Sequence, residues 1–257
     1  MGNMNKIWRL FFAVSLIGIA ILQILLHHFV PVVLPGWPAW LNSNAAYVWV
    51  GSVLLIGVSI DIVSGYNARS VAVYIAIVFL LMLVGFHIPF QLQQPEQFLG
   101  SWANAFKLMA YAGGALIVAS SLPPTGTENS LTLILEKLMP IGRYLFCIML
   151  VVFGYEHFKY SQFVFALVPN WIPWHPFWTY FAGVALIGSG LAIAFNIKTR
   201  LVANLLGIML FLWLITLHIP RALVANFATD QGNEWASVFE CLGFSGVAFL
   251  IGSGAKK

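Results

Sequence analysis

From its N-terminus the chain alternates long apolar runs with short polar or proline-rich breaks. Eight runs approach the length that crosses a bilayer, about 20 residues: 9–28, 45–63, 70–88, 102–121, 141–158, 177–196, 200–218 and 235–253. Repeated spans of this apolarity cannot be the alternating strands of a barrel, so they predict helices. The first run is too long for a secretory signal. It has no small-residue cleavage site before Pro31 and carries His27 and His28 where one would lie, so it is read as a span.

The pattern is written twice. A shift of 131 lays Leu55–Pro89 on Leu186–Pro220 without a gap, with 13 of 35 positions identical, including Arg69/Arg200 and the tripeptides His87-Ile88-Pro89 and His218-Ile219-Pro220. A shift of 133 pairs Trp102 with Trp235, Phe106 with Phe239, Gly113 with Gly246 and Ala115 with Ala248; a shift of 129 pairs His28-Phe29 with His157-Phe158. Four spans per copy give both copies the same orientation, which disfavours an inverted-repeat transporter. The expected molecule is an all-α integral membrane protein. Its eight transmembrane helices form two tandem, same-orientation four-helix bundles, residues 1–121 and 141–257, joined by a cytoplasmic linker, 122–140. In that linker Pro123-Pro124-Thr125-Gly126 ends the fourth span, and Ser130–Met139 predicts a short amphipathic surface helix with Glu136 and Lys137 toward the headgroups. Gly51, Gly57, Gly113, Gly114, Gly183, Gly188 and Gly246 are the expected sites of close helix approach.

Composition strengthens the membrane reading. Of 257 residues 61% are hydrophobic and 8% charged, against about 25% charged in soluble domains. The net charge of +4 is spread too thinly to form a nucleic-acid surface. With a cytoplasmic N-terminus, nine basic residues lie inside (Lys6, Arg9, Arg69, Lys137, Arg143, Lys198, Arg200, Lys256 and Lys257) and three lie toward the outside (Lys107, Lys159 and Arg221). That split follows the positive-inside rule and makes both termini cytoplasmic. Cys147 and Cys241 fall near opposite ends of different spans, too far apart for a bridge, and are expected as buried small apolar residues.

The outer face collects the candidate chemistry. All six histidines, His27, His28, His87, His157, His175 and His218, fall there, as do eight tryptophans. The loops Leu34–Trp40 and Val168–Trp178 are apolar and proline-rich, and form either an aromatic belt, with Trp171 and Trp174 at headgroup level, or a lid over a pocket. Within each copy His28 can approach His87, and His157 can approach His218. Lys107 and Glu240 lie at equal depth in the fourth and eighth spans, and Glu156, Lys159 and Arg221 surround the second histidine pair. Ionisable groups at such depth point to function, and this set could bind an anionic or quinone-like head group, shuttle protons or hold a metal. Simpler roles remain open. The histidines could satisfy carbonyls at helix ends, Lys107 could snorkel, and Glu240 could pair with Arg221 or a histidine. Bis-histidine haem between the first and third spans and a His/Glu transition-metal site are further alternatives.

Gly142-Arg143 opening a helix, the basic turn Lys198-Thr199-Arg200, and the last helix with Trp235, Phe239, Gly246 and Ala248 together resemble the DoxX and DoxX-like membrane proteins. So do Gly154-Tyr-Glu-His-Phe158, Val168-Pro-Asn-Trp-Ile-Pro-Trp174 and His218-Ile-Pro-Arg221. The resemblance covers nearly all of the second copy and, more weakly, the first, where His27, Phe90 and Lys107 stand for Glu156, Arg221 and Glu240. It implies a prokaryotic cytoplasmic-membrane protein related to the small subunit of a thiosulfate:quinone oxidoreductase. The expected function is a membrane subunit of a redox system that binds a quinone or similar amphiphile. His157 and His218 would handle protons, Glu156 and Glu240 would orient them, and Arg221 or Lys159 would hold an oxyanion. Trp171, Trp174, His28, His87 and Lys107 would complete the binding surface. The competing expectation is a non-enzymatic assembly, anchoring or transport component that docks an extracytoplasmic partner protein.

Overall fold

A computed structural model describes residues 2–42, 44–95, 98–126 and 128–255, and these form helices and no strand. Lys256 and Lys257, two of the basic residues assigned to the inner side, lie outside the described residues. Eight long helices carry the fold: α1 Gly2–Leu26, α2 Ala45–Ser64, α3 Ala68–Met82, α4 Ala103–Ser120, α5 Gly142–Lys159, α6 His175–Ala194, α7 Thr199–Trp213 and α8 Asn233–Gly254. Among the described residues, seven helical segments are long and apolar enough to cross a membrane: Met4–Leu26, Ala45–Ser64, Ala68–Leu92, Ser130–Lys159, His175–Ala194, Thr199–Val224 and Asn233–Gly254. The chain is therefore read as a multi-pass membrane protein. The expected span outside this set is α4, whose apolar residues are diluted by Asn104, Lys107 and the Gly113-Gly114 pair. Its position explains the dilution. Twelve of its eighteen residues are buried, so α4 faces protein rather than lipid.

Each helix packs on its neighbours in sequence, and α1 packs closely on α8, so the eight helices close into one ring pinched by contact between α4 and α8. The tightest inter-half seams are α4 on α5 and α8 on α1, and small residues make them possible. A Cβ on Gly113 would stand 2.5 Å from the Gly142 carbonyl oxygen, and one on Gly246 would stand 2.6 Å from that of Trp8. Gly57 and Gly188, also expected at crossings, face open space.

Those two seams are copies of each other. Gly113 meets Gly142, Leu145 and Phe146, while Gly246 meets Trp8, Phe11 and Phe12, a constant offset of 134 along α1 and α5. The offset matches His157 with Gln23 rather than with His28, correcting the 129 alignment. Their contacts agree. Gln23 Nε2 donates to Ser52 Oγ at 3.1 Å, and a Cβ at Gly183, the residue 131 after Ser52, would lie 3.1 Å from His157 Cβ. His28 lies beyond the end of α1 and its Nδ1 bonds its own neighbour, Phe29 O, at 2.9 Å.

Tight turns join α2 to α3 and α6 to α7, yet these are the loosest neighbouring pairs in the ring, so each pair diverges from its turn. At the first turn Gly65 takes a left-handed φ of 83° and its N–H returns to Asp61 O, ending α2. At the far end of each diverging pair the helix runs through a π turn, Leu83–His87 or Leu214–His218, each with a proline at the second position of the short helix that follows. Pro89 and Pro220 cannot donate the α-type bond and crowd the carbonyl four residues back, so the preceding turn widens. The repeated His-Ile-Pro thus places His87 and His218 at equivalent π turns.

Helix Ser130–Glu136 leads through the turn Met139–Ile141 directly into α5. Glu136 does not face headgroups; Arg69 Nε donates to it at 2.6 Å, and Nη1 of the same arginine donates to Leu122 O at 2.6 Å, clamping the end of α4. Glu128 accepts from the backbone N–H groups of Thr125 and Gly126 at 2.6 and 2.8 Å, and those bonds, that from Thr125 foremost, hold its carboxyl below the usual value. Both cysteines are buried and free.

Candidate functional site

The gap between α6 and α7 is a cavity of about 1620 Å³, bounded also by α5, by α8 and by the start of α4 from the other half. Its wall is overwhelmingly apolar, with Ala182, Leu186, Leu206 and Met209 at depth and Phe181, Leu205 and Leu212 along the lipid-facing margin. Pockets that enclose drug-sized ligands are commonly about 300–1,000 Å³, so this space takes a larger apolar body. The loop Val168–Trp174 borders it, with Trp171 and Trp174 at the rim, 64% and 77% exposed. Trp174 holds a left-handed φ of 59°, a strained conformation for a bulky residue.

Few polar groups interrupt the wall. His157 Nδ1 donates to Phe153 O at 2.7 Å, and its ring stacks on Trp213 with centroids 6.3 Å apart. Because a carbonyl only accepts, Nδ1 carries a proton, and Nε2 is the nitrogen left for a second partner. Glu156 Oε1, Thr179 Oγ1 and His218 Nδ1 are buried without a hydrogen-bond partner among the described residues. Native interiors rarely leave such atoms unsatisfied. Three of them around one cavity mark it as a place where a ligand or water completes the bonding.

Lys107 and Glu240, at equivalent positions in the two halves, meet each other. Lys107 Nζ lies 2.8 Å from Glu240 Oε2 at the cavity edge. The expected partner of Glu240, Arg221, is engaged elsewhere. Its Nε donates to Glu234 Oε2 at 2.9 Å, Nη2 donates to Glu234 Oε1, and Nη1 donates to Leu167 O at 3.0 Å. Arg221 thereby fastens the end of helix Ser161–Leu167, whose Phe163, Val164 and Leu167 line the cavity wall.

Of the residues singled out from sequence, the cavity gathers Glu156, His157, His218, Glu240, Lys107, Trp171 and Trp174. Arg221, Lys159, His28 and His87 are not on its wall. Lys159 is exposed at the end of α5, and His87 is wholly buried in the first half. Among the described residues, no group of three or more histidine, cysteine or acidic side chains is placed to hold a metal ion. Thr179 was not legible as a site residue, since a threonine near the start of an apolar helix carries no signal. The equal depth of Lys107 and Glu240 was legible, and a two-fold relation between the halves brings such equivalents together.

The first half contains the same diverging pair of helices, and there its own chain occupies the space. Phe29, Val30, Val32, Val33 and Leu34 are all buried. A Cβ on Gly51 of α2 would lie 2.9 Å from the Phe29 ring. His87 Nε2, at the π turn after α3, donates to Val33 O at 3.3 Å. At Arg221's equivalent this half has Phe90, which offers no guanidinium to anchor the loop.

No curated protein and no solved structure matches the chain. Residues 146–241, which run from α5 into α8 and enclose most of the cavity wall, match the family model described as Domain of unknown function (DUF8561).

Proposed function

We propose that the protein binds a quinone or similar amphiphile, drawn from the bilayer between α6 and α7, and serves as the membrane-embedded subunit of a redox system. In this reading it is a DoxX-like protein of the prokaryotic cytoplasmic membrane, with eight spans in two same-orientation halves and both termini cytoplasmic. The observation that carries the reading is the apolar cavity of about 1620 Å³ with Glu156, His157 and His218 on its wall. An isoprenoid tail suits the apolar depth, and a head group that gains or loses protons suits the three polar side chains.

Quinone reduction takes two electrons, here from a partner subunit, and two protons, giving a quinol. Glu156 and the His157–His218 pair supply or accept those protons. Lys107, held by Glu240, keeps a positive charge beside the head group and favours a reduced, anionic form. Arg221 and Lys159 have no ligand role in this proposal. Purified protein in nanodiscs should bind decylubiquinone, and His157→Ala with His218→Ala should remove both binding and any quinone-linked activity of the native membrane. No binding to the intact protein overturns the reading.

A second reading, docking of an extracytoplasmic partner, is favoured by the exposure of Trp171 and Trp174. A stoichiometric partner that copurifies and is retained after both histidine substitutions would support it.

A further inference from the structure

The two halves present equivalent positions, filled by the chain's own segment in the first and open as a cavity in the second. The offset of 131 carries Gly51 onto Ala182 and His87 onto His218, and both Ala182 and His218 line the cavity. In the first half these two positions hold one apolar segment at two points. The Phe29 ring lies against Gly51, and the Val33 carbonyl accepts from His87 Nε2 at 3.3 Å. In the second half the carbonyl contact has no counterpart among the described residues, and the Phe158 ring packs on Gly183, one residue beyond Ala182. His218 makes no hydrogen bond among the described residues, and its Nδ1 is buried. The corresponding loop lines the rim of the cavity, anchored by Arg221 on Leu167 O.

We infer that the cavity takes a ligand bearing a carbonyl oxygen beside a flat apolar ring, the oxygen accepting from His218 Nε2 and the ring lying against Ala182, as Val33 O and Phe29 do on His87 and Gly51. The inference deepens the proposed function and rests on it, since it assigns the head-group contact within the same cavity. A quinone has this chemistry in one fragment, a planar ring with its carbonyl attached. A saturated hydrocarbon chain satisfies the walls but leaves His218 without an acceptor, and a buried donor without a partner disfavours such a complex.

Two probes separate the contact from the cavity. Decylubiquinone and decylbenzene share a ring and tail, and only the first carries carbonyl oxygens. Binding is measured on the whole chain in nanodiscs, with infrared difference spectra of the bound quinone. The native protein should prefer decylubiquinone about tenfold, the ratio that one net hydrogen bond supplies. One quinone carbonyl stretch should shift to lower frequency. His218→Phe, which keeps a ring but not the donor, should abolish both the preference and the shift. His218→Gln, which restores an N–H, should recover part of each. Ala182→Phe, which supplies the ring found against Gly51 in the other half, should exclude decylubiquinone. Equal binding of the two probes with no carbonyl shift would overturn the His218 contact and leave an apolar cavity. Binding of neither probe to the native protein would overturn both this inference and the proposed function.

Discussion

The inter-half seam is the most exposed part of this architecture to a one-carbon change. Gly113→Ala would place its Cβ 2.5 Å from Gly142 O, 3.0 Å from Leu145 Cβ and 3.2 Å from Phe146 N. Ordinary contact begins near 3.4 Å, so α4 and α5 must part by about 0.9 Å at the crossing. Two of the three obstructing atoms are backbone and cannot rotate away. Overpacking of this kind costs about 1–3 kcal/mol, and the rigid obstruction puts Gly113→Ala toward the upper end. Gly142→Ala meets the same crossing from the other side, 2.7 Å from Gly113 O. Once the helices have parted for one methyl, the second finds room, so the double variant should lose at least 0.5 kcal/mol less than the two singles together, roughly the threshold of measurable coupling. Gly57→Ala is the control, since a Cβ there meets nothing within 4 Å. It should be neutral or stabilising, by up to about 1 kcal/mol from helix propensity. Reversible unfolding in mixed micelles, followed by helical circular dichroism, reads all four proteins. A Gly113→Ala protein as stable as the native one, or strictly additive losses, would refute the seam as described.

Other predictions follow from the pairs around the cavity. Lys107→Met should cost about 3–5 kcal/mol by stranding the buried Glu240 carboxylate and Glu240→Gln less, because Lys107 is partly exposed, whereas Lys107→Met with Glu240→Leu should be near neutral, all by the same unfolding assay. Recovery absent in the double variant would mean that the pair does not act as a unit. Phe29→Ala should cost about 3–5 kcal/mol and open the first half, so that bound decylubiquinone rises toward two per chain in equilibrium binding. An unchanged stoichiometry would show that the other buried residues of the segment suffice to fill the space. Arg221→Gln should release the Leu167 carbonyl and speed hydrogen exchange across Ser161–Leu167, with about 1–3 kcal/mol lost from charge-assisted bonds. Unaltered exchange there would deny the clamp.

Spans were legible wherever a helix faces lipid, because lipid demands long apolar runs and little else. The fourth run, 102–121, is less apolar because α4 faces protein on most sides and so tolerates Asn104, Lys107 and paired glycines. The repeat was legible in residues, but ring closure was not. A small residue licenses close approach without naming its partner, and Gly113 could have met a helix of its own half instead of Gly142. The same limit applied to the site. Leu34–Trp40 and Val168–Trp178 read alike as apolar outer loops. Burial of the segment before the first and restraint of the second by Arg221 depend on tertiary contacts that periodicity does not encode. The substitution of Phe90 for Arg221 was visible as a difference between the copies. Its meaning required the position of the Leu167 carbonyl.

Closure of α1 on α8 also bears on descent. A duplicated unit that folds alone, once fused in tandem, would leave two finished bundles side by side. Here each unit closes against the other through matching seams offset by 134 residues, the arrangement that a two-fold homodimer of four-helix chains leaves when its genes join. The linker 122–140 then merely tethers partners that already fitted. In one chain the two sites need not match, and here one holds the chain's own segment where the other is open.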